Sequence, residues 1–189
     1  MPGKLIIFSA PSGSGKTTLV HHLLGQFDEL CFSISATSRE KRGSEQDGKD
    51  YHFLSKEAFE SKIDAGDFIE WEEVYAGTYY GTLRSAVEKL LASGKSVIFD
   101  VDVKGGLNIK RQYGPKALAI FVQAGSLDVL QERLSKRNTE SAEKLQMRLN
   151  KAATEMAFAH AFDYILINED LDTAKRTAVQ VVGDFLNKA

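Results

Sequence analysis

Lys4-Leu5-Ile6-Ile7-Phe8-Ser9-Ala10-Pro11-Ser12-Gly13-Ser14-Gly15-Lys16-Thr17-Thr18 is the stretch on which the fold turns. Residues 4–9 form a short apolar run ended by Pro11 and two glycines, which predicts a buried strand. From residue 16 to 26, Leu19, Leu23 and Leu24 fall at helical spacing, and Gly25 stands near the expected stop. Strand, glycine-rich turn and helix in that order are the setting of a P-loop. The glycines let backbone N–H groups converge on phosphate oxygens with no Cβ in the way. The helix N-terminus favours an anion, Lys16 reaches β- and γ-phosphates, and Thr17 offers a hydroxyl to Mg²⁺. A nucleoside triphosphate is therefore the expected ligand of Ser12, Gly13, Ser14, Gly15, Lys16 and Thr17. Ala10 stands where the strict motif has its first glycine. An ordinary glycine-rich turn is the competing reading, and the flanking strand and helix disfavour it.

Outward from this stretch, strands alternate with helices. Residues 96–101, 117–122 and 164–167 are further short apolar runs separated by helix-patterned sequence. Ser126 is placed to cap a helix with Leu127, Leu130 and Leu134 on one face, and residues 171–186 are amphipathic. This βαβ rhythm predicts an α/β fold, a parallel sheet with helices on both sides. Residues 35–85 break the rhythm. A polar stretch over 38–50 precedes strand-like 51–54, a helix over about 56–65 closed by Gly66, and strand-like 68–75, the pattern of a small α+β insertion. A charged hinge over 135–139 separates two helical patterns and suggests a second insertion. Mobile elements of this kind close over substrates.

Composition narrows the classes. The 189 residues carry 24 Lys+Arg against 26 Asp+Glu, a net charge of −2, which leaves no electrostatic footprint for nucleic-acid binding. A 43% hydrophobic share suits one domain with a sizeable core. Cys31 is the single cysteine, has no partner for a disulfide, and reads as a small core residue. No apolar run approaches the length of a membrane span, so a cytoplasmic setting without membrane association is expected. No feature of the sequence fixes an oligomeric state.

Other residues supply further chemistry. Asp100, at the end of an apolar strand, suits a Walker-B carboxylate holding Mg²⁺ directly or through water. Its alternative is a cap on the following helix. Asp102-Val103-Lys104-Gly105 matches the D-x-x-G of GTPases, but no N-K-x-D accompanies it, and the match reads as chance. Arg39, Arg42, Tyr51 and Tyr80 are residue types that hold a compact phosphate. Arg133 and Arg137 lie four apart on one helical face, and with Arg148 they could swing onto a transferring phosphoryl group.

In their order, these motifs resemble those of the guanylate kinase family over essentially the whole chain. The resemblance rests on residues 11–17, Ser33-Ile34-Ser35-Ala36-Thr37-Ser38-Arg39, Gly48-Lys49-Asp50-Tyr51 and Phe68-Ile69-Glu70-Trp71. It continues through Tyr79-Tyr80-Gly81-Thr82, Asp100-Val101-Asp102, Arg133-Leu134 and Ile167-Asn168-Glu169-Asp170. It implies a P-loop NTPase three-layer fold, with a core of about 1–34, 86–127 and 158–189, a GMP-binding insertion of about 35–85 and a helical lid of about 128–157. The implied reaction is reversible phosphoryl transfer from ATP·Mg²⁺ to GMP, with dGMP as a second acceptor. Glu70 would read guanine by accepting from N1–H and the 2-amino group, and Ser35 and Thr82 would donate to O6. Arg39, Arg42, Tyr51 and Tyr80 would hold the GMP phosphate, with Gly81 and Asp102 beside the nucleotide. Lys16, Thr17 and Thr18 would take the ATP phosphates, Asn168 and Arg133 would lie near adenine, and Lys16, Arg133, Arg137 and Arg148 would serve transfer. Ala36 and Lys41 depart from the family pattern but carry no named contact. Two rivals are a kinase for another monophosphate and a non-catalytic guanylate-kinase-like peptide-binding module. Glu70 with Ser35 and Thr82 speaks against the first, and Lys16 with the three arginines against the second.

Overall fold

The computed structural model describes residues 3–135 and 142–188. Strand β1 (Leu5–Ser9) is buried along its whole length, because it is the middle of a five-stranded sheet. Strand β7 (Ser96–Asp100) flanks it on one side, with Phe8 opposite Asp100, and β8 (Ala117–Gln123) on the other, with Ser9 opposite Phe121. β2 (Leu30–Phe32) and β9 (Tyr164–Ile167) form the edges, giving the order β2-β7-β1-β8-β9 with every pair parallel. Parallel strands need crossover helices, and these cover both faces.

The period of two along β1 sorts its side chains. Ile6 and Phe8 pack with Leu19 and Leu23 of α1 (Lys16–Leu24) and with Ala178 and Val182 of α7 (Leu171–Asn187). Leu5 and Ile7 pack with Val87 of α3 (Arg84–Ala92) and with Val103 and Ile109 of α4 (Val103–Tyr113). A separate small core joins α5 (Leu127–Ser135) to α6 (Ala142–Met156) through Leu130, Leu134 and Ala152. The expected hinge over 135–139 lies, beyond Ser135, outside the described residues.

Residues 36–83 build a second sheet in the order β4-β3-β6-β5, from β3 (Ala36–Thr37), β4 (His52–Phe53), β5 (Phe68–Tyr75) and β6 (Thr78–Leu83). Helix α2 (Lys56–Asp64) covers it: Phe59 is stacked on Phe68 at 4.3 Å and on Tyr79 at 5.4 Å between centroids. Ser55 caps α2 by accepting the Ala58 N–H at 3.1 Å. Gly66 follows with φ +71, the left-handed turn that lets the chain leave the helix and enter β5.

Two features carry no signal in the sequence, and one expectation is corrected. β6 runs straight into α3 with no glycine, proline or side-chain cap between them, so the sequence carries no boundary signal there. β9 is an edge strand with Tyr164, Ile165 and Ile167 exposed. Cys31 lies on the other edge strand, only partly covered, and is not a core residue. Among the described residues no helix is long and apolar enough to cross a membrane.

Candidate active site

The turn between β1 and α1 carries the first half of the site. Gly13 and Gly15 adopt φ of +91° and +86°, backbone that favours glycine. Gly15 is also the N-cap of α1, so the open N–H groups of the helix point into the turn. A Cβ on Gly13 would meet Leu134 Cδ2 of α5 at 2.9 Å, and one on Gly15 would collide with the Asn168 amide. Ala10, by contrast, places its methyl in the core beside Phe8 and Leu19, where the strict motif's glycine is not required. The turn lines a cleft of about 380 Å³ with Lys16, Thr17, Thr18, Asp100, Asp102, Arg148, Lys151 and Glu155.

Parallel pairing of β1 with β7 brings Asp100 to the loop. Thr17 Oγ1 donates to Asp100 Oδ2 at 2.7 Å, Lys16 pairs with the other carboxylate oxygen, and Lys16 Nζ also donates to the Val101 carbonyl at 2.9 Å. Asp100 is therefore a P-loop partner; the helix cap on this segment is Asp102, whose Oδ1 accepts the Gly105 N–H at 2.7 Å.

Asp100 and Asp102 also face a second cavity of about 170 Å³, lined by Ser35, Tyr51, Glu70, Glu72, Tyr80 and Val101. Glu70 stands opposite Thr82 in the β5–β6 pairing, and Thr82 Oγ1 donates to Glu70 Oε1 at 2.6 Å. A hydroxyl has one hydrogen, so Thr82 in this arrangement has none left for a ligand oxygen. The other carboxylate oxygen abuts the first turn of α4, where a Cβ on Gly105 would meet it at 3.0 Å. Burial is the main cause that pushes the Glu70 carboxyl up to about 7; the Thr82 bond opposes it, and the charges of Asp102 and Glu72 reinforce it. Gly81 allows close strand approach: a Cβ there would meet the Glu70 carbonyl oxygen at 2.7 Å.

Of the phosphate-type residues, Tyr51 and Tyr80 line the cavity and Arg39 is held against both. The Arg39 guanidinium lies over the Tyr51 ring at 5.0 Å, its Nε donates to Tyr80 OH at 3.1 Å, and both Nη atoms bond Glu45 at 2.7 Å. Arg42 is exposed and contributes its backbone N–H to the same Glu45 at 2.8 Å. The arginines read from the sequence as a group are not gathered here. Arg148 reaches Ser12 Oγ on the P-loop, whereas Arg133 Nη2 donates to the carbonyls of Asn168 at 2.8 Å and Glu169 at 3.2 Å. Arg137 lies outside the described residues. Asn168 is buried and donates from Nδ2 to the Ser14 carbonyl at 2.7 Å, so its amide braces the P-loop itself.

Four site residues escaped sequence reasoning. Glu72 shares the Glu70 face at the strand period of two, a legible signal that was not used. Lys151 and Glu155 follow Arg148 at i+3 and i+7 on α6 and line the same cleft. Burial raises the Glu155 carboxyl above its ordinary range. Glu45 lies in an irregular loop where no period applies.

A phosphate-cradling loop and a carboxylate cavity whose tyrosines hold an arginine, sharing one strand end, define a P-loop phosphotransferase of the nucleoside-monophosphate kinase class. A family model described as guanylate kinase matches residues 2–186. The guanylate kinase of Bacteroides thetaiotaomicron is 52% identical over 188 residues, covering 100% of this chain and 92% of the relative. That of Porphyromonas gingivalis is 50% identical over 98% of this chain and 99% of its own. The crystal structure of guanylate kinase from Anaplasma phagocytophilum superposes with a TM-score of 0.74 at 27% identity, covering 99% of this chain and 88% of that one. The chain belongs to the guanylate kinase family.

Proposed function

We propose that the chain transfers the γ-phosphoryl group of ATP to GMP, and to dGMP, reversibly and by direct in-line displacement, giving ADP and GDP in the cytoplasm. The observation that carries this reading is the shared wall: Asp100 and Asp102 line both the P-loop cleft and the Glu70 cavity. Donor and acceptor bound in the two would meet at the end of β7.

On the donor side Lys16, Thr17, Thr18 and the 12–15 backbone hold the ATP phosphates, with Asn168 keeping the loop in shape. Thr17 Oγ1 and Asp100 Oδ2 lie 2.7 Å apart. Adjacent corners of an octahedron with bonds of ~2.0–2.1 Å are about 2.9 Å apart, so this pair of hard oxygens fits Mg²⁺ arriving with ATP. Thr17 and Asp100 would hold Mg²⁺ there, where it would supply charge neutralisation for the transferring phosphoryl group. On the acceptor side ionised Glu70 accepts from guanine N1–H and the 2-amino group. Adenine offers an unprotonated N1 and no 2-amino group, and a partly buried carboxylate facing an acceptor is a strong rejection. Ser35 donates to O6, and Thr82 orients Glu70. Arg39, Arg42, Tyr51 and Tyr80 hold the phosphate. Closure of residues 128–157 brings Arg133, Arg137 and Arg148 over the γ-phosphoryl and excludes water that would otherwise hydrolyse ATP.

The test is ADP formation from ATP·Mg²⁺ with GMP, dGMP, AMP, CMP, UMP and dTMP offered singly. Strong turnover with GMP, less with dGMP and little with the rest is expected. Preference for another acceptor would remove the Glu70 assignment, and no turnover in folded protein that binds GMP would favour a non-catalytic module.

A further inference from the structure

The phosphate-type arginine Arg39 is held by Glu45, a residue with no role so far in the reaction. Arg39 and Glu45 meet fork to fork: Nη1 donates to Oε2 and Nη2 to Oε1, each at 2.7 Å. Nη1 also donates to the Glu40 carbonyl at 2.8 Å and Nε to Tyr80 OH at 3.1 Å. Among the described residues four of the five guanidinium N–H donors are thereby engaged, leaving one on Nη2 for an incoming oxygen. Both partners are largely covered, Arg39 at 11% and Glu45 at 23% side-chain exposure.

The loop is shaped to bring Glu45 to this place. The chain turns back at Arg42, with the Glu45 N–H on the Arg42 carbonyl at 3.1 Å and Gly43 at φ +51. The same carboxylate then accepts the Arg42 N–H at 2.8 Å. One anion thus ties together the two arginines expected at the acceptor phosphate.

We infer that Glu45 is a positioning residue, one that fixes the Arg39 guanidinium against Tyr51 and Tyr80 so that it receives the acceptor's phosphate already oriented. This rests on the reading of Arg39 as a GMP-phosphate ligand. A free arginine has rotamer entropy to lose on binding, and a bidentate carboxylate removes that loss beforehand. The Arg39 bonds hold the Glu45 carboxyl down at about 2, so the clamp is charged throughout the assay range. The competing possibility is a decoy: Glu45 would occupy the phosphate's place and have to be displaced.

The experiment compares wild type, Glu45→Gln, Arg39→Ala and the double variant in steady-state assays with GMP and ATP, together with the inhibition constant of guanosine, which lacks the phosphate. Positioning predicts that Glu45→Gln raises KM for GMP about tenfold, equivalent to about 1.4 kcal/mol, with KM for ATP and guanosine inhibition within twofold of wild type. In the Arg39→Ala background the second substitution changes KM for GMP less than twofold, because its effect passes through Arg39. An unchanged or lowered KM for GMP in Glu45→Gln overturns the inference, the lowered value in favour of the decoy. Guanosine inhibition weakened in step with KM, or full additivity with Arg39→Ala, overturns it in favour of a general structural role. If Arg39→Ala itself leaves KM for GMP unchanged, the phosphate-site reading fails, and the inference with it.

Discussion

Glu70→Gln stabilises the ligand-free protein at alkaline pH while it destroys base selection. In the folded chain the Glu70 carboxyl titrates at about 7 against an ordinary 4.5, chiefly because it is buried. Its folded value is raised, so the protonated form favours folding. Between pH 4.5 and 7 the unfolded chain has released this proton and the folded chain still holds it. Stability from this group is therefore full below 4.5 and is lost as pH rises through 7. The span of about 2.5 units corresponds to about 3.5 kcal/mol at ~1.4 kcal/mol per unit, an upper figure for a group that is not wholly buried. Glutamine keeps the Thr82 hydrogen bond and removes the charge. Relative to wild type, the variant's melting temperature should be unchanged near pH 4.5 and higher at pH 8, by about 5–10 °C for a chain of this length. Scanning calorimetry of both proteins at half-unit steps from pH 4.5 to 8.5, without nucleotide, measures the difference directly. The same variant should lose about 10²-fold or more in kcat/KM for GMP and gain relatively on AMP. A flat difference across pH, or a variant less stable at pH 8, would refute the assignment of Glu70 as a strained carboxylate held ready for guanine.

Other substitutions separate the remaining roles. Lys16→Met should cut turnover at least about 10²-fold with KM for GMP near wild type, as read in steady-state assays. Asn168→Ala removes the amide bond to the Ser14 carbonyl and should cost about 1–2 kcal/mol in denaturant unfolding. It should also raise KM for ATP and not that for GMP. Gly15→Ala forces a methyl into φ +86 and onto the Asn168 amide, so it should abolish binding of a non-hydrolysable ATP analogue in calorimetric titration.

What the sequence made legible was whatever is encoded locally. The strand, glycines and lysine of residues 4–16 are contiguous, and their spacing alone places a phosphate site at the head of α1. The helix from Lys56 and the strand from Phe68 carried their own cap and period. The β6–α3 junction was not legible, since no breaker separates Leu83 from Arg84 and the backbone turns from strand to helix under tertiary packing alone. Glu45 was not legible either, because its partner is reached through a turn at Gly43. Asp102 shows how one residue carries two constraints. The family resemblance implies a nucleotide contact for it, while the structure spends one of its oxygens on capping α4. Arg133 illustrates the limit most plainly: its partners are carbonyls 35 and 36 residues away, a contact no spacing rule encodes.

In the proposed reaction, the end of β7 is where two sites on different sheets meet. Residues 100–102 face, in succession, the P-loop through Asp100, Lys16 through the Val101 carbonyl, and the base of α4 through Asp102, whose own carbonyl accepts from Ser9 Oγ at 3.0 Å. Before ATP arrives, Lys16 and Thr17 are committed to Asp100, in a contact where lysine and aspartate side chains are each less than a fifth exposed. If Lys16 turns to the phosphates as proposed, Asp100 would lose its cation while an anionic nucleotide approaches, and repulsion in a partly buried setting is large. On the proposed reading, Asp100 would admit the nucleotide only when a cation comes with it. By the same reasoning Asp100→Asn should bind metal-free ATP more tightly than wild type and ATP·Mg²⁺ less tightly. The inversion is measurable by titration calorimetry with and without a chelator, and a uniform loss in both conditions would show that Asp100 serves only to hold Lys16.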